Sequence, residues 1–155
     1  MKKPPLILTN ALVFIISGAI AFIGVPLWVA YQGIDWAEIG TAIFLFYFTG
    51  MSITAGYHRL WSHKTYDANI VVRVILAIGG AMALQNSILH WSSDHRVHHR
   101  HVDDNDKDPY SAKKGLWFAH IGWMLREYQA KRYDDYSNCK DLQKDSVVMW
   151  QHKYY

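Results

Sequence analysis

The sequence predicts an all-α integral membrane fold: a transmembrane helical hairpin, then an interfacial helix, then a helical cytoplasmic region rich in histidine. Three observations predict it. No charged residue lies between Lys3 and Asp35, and none between Glu38 and Arg59. Almost all the charge follows Arg59. Seven of the nine histidines fall between His58 and His101. A mean hydropathy near zero and 19% charged residues would suit a soluble domain, but they average two unlike halves, so a windowed reading carries more weight.

The first element is the apolar stretch from Leu6 to Ala30, 25 residues broken only by small or weakly polar residues and Pro26. Crossing the hydrocarbon core takes ~20 such residues. Lys2 and Lys3 would also suit the start of a signal peptide. The apolar core of such a peptide, however, is only ~7–15 residues long and ends at a small-residue cleavage site. Here the run is longer, and Trp28, Tyr31 and Trp36 stand at its far end as an interfacial aromatic belt would. An uncleaved helix is expected.

Ile39 to Tyr57 is a second uncharged run, 19 residues long, which at 1.5 Å per residue spans about 28 Å. The link between the runs carries Asp35 and Glu38 but no Lys or Arg, whereas Lys2, Lys3, Arg59, Lys64 and Arg73 lie on the other side of the hairpin. The positive-inside bias then puts the N-terminus and residues 58–155 in the cytoplasm. A third apolar stretch, about Val74 to Leu89, has 16 residues and contains Gly79 and Gly80. It is short for a span, and crossing would put the histidines before and after it on opposite faces of the membrane. An interfacial helix is expected instead. Residues 1–155 thus read as a single partial domain, closing with a helix at Gly115–Tyr128 and a charged segment at Lys131–Asp145.

Several function classes are excluded. A net charge of +3 without a basic run gives no footprint for nucleic acid. The single cysteine, Cys139, excludes an internal disulfide and a cysteine-based metal site. Neither histidine cluster contains the glutamate of a zinc-protease H-E-x-x-H motif. The acidic run Asp103 to Asp108 fails as a calcium-binding EF-hand, because neither starting register supplies both the glycine and the glutamate such a loop needs. Those acids are expected to hydrogen-bond imidazoles or to form a turn closed by Asp108-Pro109.

The histidines form two clusters, His58-Arg-Leu-Trp-Ser-His63 and His95-Arg-Val-His98-His99-Arg-His101. At ~100° per residue, positions 95, 98 and 99 share one helical face about 100° wide. Three neutral nitrogen donors close together are what a metal site needs. His58 and His63 come out about 140° apart by the same α-helical arithmetic, so one must reach around or the helix must end between them. His101 sits just off the shared face and is expected to support a ligand or face solvent. His90, His120 and His152 are expected to be interfacial anchors. The arginines beside the clusters disfavour imidazolium and so argue against a proton relay, while a metal takes the neutral ring. On ligand type alone Zn, Fe, Cu and Ni all stay open.

The run from Thr54 to His63 resembles the first histidine box, H-x(4)-H, of the membrane acyl-CoA desaturases of the stearoyl-CoA (Δ9) type, and Asp94 to His99 resembles their second box, H-x(2)-H-H. Gln85-Asn86, Asp108-Pro109 and His120-Ile-Gly-Trp123 match the same pattern, so the resemblance covers nearly everything from Ile39 onward. It implies an oxidoreductase that uses O2 and two histidine-held irons to put a cis double bond into a saturated fatty acyl chain, in unsaturated fatty acid biosynthesis. It implies His58, His63, His95, His98 and His99 as iron ligands, and Asn86 and Asp94 as contacts with the head of the acyl carrier. Arg126 lies where the family has basic residues near phosphate, but the local match is too loose to assign it. The implied partners are an acyl-CoA or other acyl carrier, membrane lipid, and an electron donor such as cytochrome b5 or a ferredoxin-type protein.

The family carries a third histidine box further along, and Val147 to Tyr155 resembles the stretch before the hairpin that precedes it. The expectation is therefore a fragment, inactive alone. Two alternatives stand beside it: a membrane di-iron hydroxylase, and a truncated membrane protein without catalysis.

Overall fold

The computed structural model describes residues 4–129, 133 and 135–155, and among them the chain is helical, with a single isolated bridge between Leu6 and Arg126. The first two helices are α1, Leu8–Gln32, and α2, Trp36–Ser62, of 25 and 27 residues. Each is long and apolar enough to cross a membrane. Pro26 has no N–H to give and its ring would strike the carbonyl four residues back; the widened turn at Ile20–Gly24 sits where that conflict arises. Gly33, with φ +82°, ends α1. Asp35 starts α2 by accepting a hydrogen bond from the Ala37 N–H at 2.8 Å.

None of the α1 side chains is buried. Ile15 is 67% exposed and Phe22 84%. In water each such side chain would forgo ~1.5–3 kcal/mol of burial. A lipid solvent removes that penalty, and a helix satisfies its own backbone in lipid.

The lower end of α2 is different. Helix α3, Ile70–Met82, crosses it through two glycines. A Cβ on Gly79 would strike Ser52 Oγ and come within 2.8 Å of Phe48 Cζ, and one on Gly80 would strike the Tyr57 ring. Those glycines let the helices approach until Tyr57 is fully buried. Helix α4, Ile88–Arg100, and helix α5, Ser146–Tyr154, close the head around Leu60, Trp61, Ala77, Leu89 and Val148. Arg73 of α3 pairs with Asp145, whose carboxylate also caps α5 by accepting from the Val147 and Val148 N–H groups.

The third helix begins and ends earlier than the sequence predicts. Asn69 caps it by accepting from the Val72 N–H at 3.1 Å. It stops at Met82, ahead of Leu84 and Asn86, which adopt left-handed backbone (φ +56° and +67°). Residues 83–89 are a turn and the opening of α4. At 13 residues α3 is roughly 20 Å long, with Ile70, Val71, Ile75, Ile78 and Met82 exposed on its outer side. The helix expected at Gly115–Tyr128 is helical only over residues 116–125, because Arg126 turns extended to bridge Leu6. In the segment Lys131–Asp145, Lys131, Arg132 and Asp134 lie outside the described residues. The rest contains two short 3-10 turns, Ser137–Cys139 and Leu142–Lys144.

The start of α1 returns to this same end of the molecule. Asn10 Nδ2 donates to the Met124 carbonyl at 2.7 Å, the Ile7 N–H to Leu125 O at 2.9 Å, and the Glu127 N–H to Pro5 O at 3.1 Å. The N-terminus and the histidine region therefore share one end of the hairpin.

Candidate metal centre

Residues Ser52–Ser62 at the end of α2 form a π-helix. Its i→i+5 bonding appears at the site itself, where the His63 N–H donates to His58 O at 3.0 Å. A π-helix turns only roughly 80° per residue. Five residues then advance little more than one full turn, so His58 and His63 come onto the same side. Their ring centroids are 4.6 Å apart. The 140° conflict of the α-helical reading vanishes because the helix is not α there.

On α4, His95 and His99 lie one turn apart on the face turned to α2. The Nε2 atoms of His63 and His95 are 2.9 Å apart, and those of His99 and His95 3.1 Å. With His58, these residues offer four ring nitrogens, one from each imidazole, all within 4.8 Å of one another.

His98 stands at the edge of that group. Its ring centroid is 6.2 Å from His95 and 5.6 Å from His99. The face predicted for residues 95, 98 and 99 is wide enough for its two edges to meet different neighbours. His98 Nδ1 lies 2.9 Å from Oδ1 of Asp108, a carboxylate that is 1% exposed, and its ring packs against Tyr110. That contact fixes the ring and leaves Nε2 as the free donor atom. Asp108 also accepts from the Asp103 and Tyr110 N–H groups; against burial, the His98 contact and then these two bonds hold its carboxyl below the usual carboxylate range. Asp104 accepts from the Asp106 and Lys107 N–H groups. Asp108 thus meets an imidazole, as expected of the acidic run, while the side chain that accepts the turn's N–H groups is Asp104 and not the Asp108 of the expected Asp108-Pro109 closure.

The site's electrostatics favour neutral rings. Burial, and then the neighbouring His99, His58, His63 and His98, drive His95 down to about 3. Burial and the nearby His63 and His98 lower His99 as well. One ring nitrogen from each of four imidazoles within 4.8 Å is a donor set that could hold a metal ion. Imidazole suits Zn, Cu, Fe and Ni. The residues present therefore fit a transition-metal ion. Cys139 takes no part: it is fully buried in the head core, and burial pushes its thiol up to about 11.

A fatty acid desaturase family model matches residues 34–154. The chain belongs to that family. Among its desaturase relatives, a probable acyl-CoA desaturase of Schizosaccharomyces pombe is 48% identical over 114 residues, 74% of this chain and 23% of the relative. The stearoyl-CoA desaturase of Bos taurus is 45% identical over 115 residues, 72% of this chain and 32% of the relative. An acyl-CoA Delta-12 desaturase of Tribolium castaneum is 39% identical over 148 residues, 94% of this chain and 40% of the relative. The chain spans about a quarter to two fifths of the length of these desaturases.

The remaining sequence-named residues lie away from the four-histidine group. Asp94 is buried on another side of α4, accepting from the Tyr133 hydroxyl at 3.1 Å, and it lines a cavity of about 190 Å³ with Ser93, Arg100, Pro109 and Asn138. Asn86 is exposed at the turn before α4, its carbonyl accepting from Tyr57 Oη. Arg126 Nη1 donates to Pro4 O at 2.7 Å, tying the extended segment to the N-terminus.

His90 and His152 are not separate surface anchors. Their ring centroids are 4.9 Å apart, beside Tyr133, Tyr136 and Tyr155. The Ser87 hydroxyl lies 2.8 Å from His152 Nδ1. His120 is exposed, its Nδ1 3.2 Å from Leu116 O. His101 ends α4, its N–H shared by Val97 O and His98 O. Tyr110, which touches both His98 and Trp123, was not named from the sequence, since no motif spacing points to it.

Proposed function

We propose that this chain carries the first part of a histidine-held di-iron centre in an enzyme that desaturates fatty acyl chains. The observation that carries the reading is the convergence of His58, His63, His95 and His99 within 4.8 Å, in a chain of the fatty acid desaturase family. His98, oriented by Asp108, supplies a fifth imidazole at the edge of the group and serves a second ion. Two irons, when bound, supply the O2-derived oxidant that an unactivated alkyl C–H bond requires, since side-chain acid–base chemistry leaves that bond untouched.

The chain's own residues do the rest. The His95 and His99 rings stay neutral because burial and the neighbouring imidazoles disfavour their protonation, which keeps their nitrogens available. Trp91, whose ring centroid is 4.7 Å from that of His95, and buried Trp61 and Tyr57 keep water from one flank. The head of the acyl carrier, CoA or another, meets Asp94 at the cavity beside α4, with Asn86 at the preceding turn. Electrons come from an external carrier such as cytochrome b5 or a ferredoxin-type protein. The hairpin α1–α2 spans the bilayer, α3 lies along the interface with its apolar side to lipid, and the N-terminus and histidines face the cytoplasm.

The test is elemental analysis together with product analysis on the purified protein. In a protein that also carries the third histidine box the reading expects two irons and an O2-dependent cis-monoene from a saturated acyl substrate, and this chain alone is expected to hold iron less tightly and to form no product. A protein holding only zinc, or no metal, would sink the di-iron assignment. A hydroxylated product with iron bound would move the reaction to the hydroxylases.

A further inference from the structure

Arg96 follows His95 directly, yet its side chain leaves the histidine face and makes five hydrogen bonds in the head. Nε donates to Ser62 O at 3.2 Å. Nη2 donates to Trp61 O at 3.0 Å and to Asp141 Oδ2 at 3.0 Å. Nη1 donates to Asn138 O at 2.8 Å and to Asp141 Oδ1 at 2.8 Å. A guanidinium has five N–H donors in a fixed fork, and here each one has an acceptor.

Those acceptors are not scattered. Trp61 and Ser62 are the two residues before His63, and their carbonyls belong to the last turn of α2, where helical carbonyls run out of partners. On the other side of His63, Lys64 takes left-handed backbone (φ +53°), and its Nζ lies 2.7 Å from Asp141 Oδ2. Asp141 thus holds Arg96 and Lys64 together, and its carboxyl is held well below the usual carboxylate range by the Arg96 guanidinium, then by Lys64. Ser62 Oγ adds a bond to Ser92 Oγ of α4 at 2.9 Å.

His63 is therefore gripped from both neighbours, while its own ring is exposed and, among the described residues, its aromatic ring contacts are with other histidines. The residues on either side of it are where the rest of the head takes hold. We propose that Arg96, braced by Asp141, is the positioning residue that sets His63 against His95 and His99 and so determines how tightly the histidine group holds a metal. The proposal rests on the metal-centre reading above. It adds that the link between the two histidine clusters is a guanidinium fork outside either ligand set. A lysine at 96 keeps the charge and can reach Asp141, but one ammonium cannot serve two peptide carbonyls and a bidentate carboxylate at once.

The experiment uses the whole chain in detergent micelles with Co2+ as the probe, read by its visible ligand-field absorption. The chains compared are the wild type, Arg96→Lys, His63→Ala and the double variant, with helical content followed by circular dichroism. Arg96→Lys should weaken Co2+ binding ~10- to 100-fold with helical content unchanged. In the His63→Ala background the same substitution should cost nothing further, because its effect runs through His63. An equal loss in both backgrounds, or no loss in the wild type, overturns the proposal. If the wild-type chain binds no Co2+, the metal reading fails separately. Amide hydrogen exchange over residues 58–66 of the metal-free chain then decides the clamp: faster exchange in Arg96→Lys sustains it, and unchanged exchange removes it.

Discussion

The upper part of the α1–α2 hairpin and the head at its lower end are built on opposite rules. In the hairpin the side chains face outward, α1 buries none of them, and the glycines have room: a Cβ on Gly18, Gly40 or Gly50 would meet nothing within 4 Å. In the head, Gly79 and Gly80 have no room at all. Buried Ser62, Ser87, Ser92 and Ser93 thread hydrogen bonds between elements. The contrast teaches where specificity resides. Lipid asks only that a helix be long, apolar and internally bonded, so many sequences would serve there. Holding four imidazoles in register asks for close packing and satisfied polar groups, so few substitutions are neutral.

The sharpest way to test that contrast is to remove a ring from the centre of the cluster. His95→Ala should lower metal affinity by more than ~100-fold, since it removes the nitrogen to which both His63 and His99 are closest, while the helicity of α1 and α2 stays as it was. Equilibrium dialysis with Co2+ and circular dichroism on the same sample check both halves. Should helicity fall with affinity, the two regions are not independent.

A smaller effect is expected one bond further out. Asp108→Asn keeps the shape of the side chain but weakens its acceptance from His98 Nδ1, and metal affinity should fall ~10- to 100-fold. The loss should show mainly in the second equivalent of metal bound, because His98 lies at the edge of the group. A titration in which both equivalents weaken equally would place His98 in the same ligand set as the other four.

Glycine substitutions sharpen the comparison most directly. Gly80→Ala should destabilise the head by ~1–3 kcal/mol through the clash with Tyr57. Gly18→Ala, with open space around it in mid-helix, should be neutral or stabilise by up to ~1 kcal/mol. Unfolding in SDS–detergent mixtures measures both, and equal effects would erase the distinction drawn between the regions.

The mildest effect is that of pH. His95 is held near 3, below the ordinary histidine value of 6.5, so as pH falls the unfolded chain binds the proton first. The metal-free head is therefore most stable above about pH 6.5 and loses stability progressively as pH drops toward 3. Protons compete with metal over the same range. A metal-free stability that rose on acidification between pH 6.5 and 5 would contradict the burial of His95.

Much of this was legible in one dimension. The charge-free runs mark two long helices because hydrophobicity is summed along the chain and needs no partner. The histidines stand out because metal-binding side chains cluster at short spacing. The ends of α3 were less legible: its apolar character runs on past Met82, but the backbone leaves the helix at Leu84 and Asn86 for the tight turn into α4. His90 and His152 look like separate surface groups in sequence, and only folding stacks them with tyrosines far along the chain. The π-helix at Ser52–Ser62 has no signature that an α-helical wheel can register.

By itself, then, the sequence determined the helical class, the apolar hairpin and the kind of chemistry that five clustered imidazoles can support, because composition and short-range spacing are local quantities. The tertiary structure alone decided which imidazoles meet, through the wider π turn that brings His58 and His63 together and the α2–α4 approach that adds His95 and His99. It also decided that Asp108 orients His98 and that Arg96 reaches the carbonyls before His63. Those outcomes depend on packing between segments 30 or more residues apart and on contacts a few tenths of an ångström wide, which no pattern along the chain encodes.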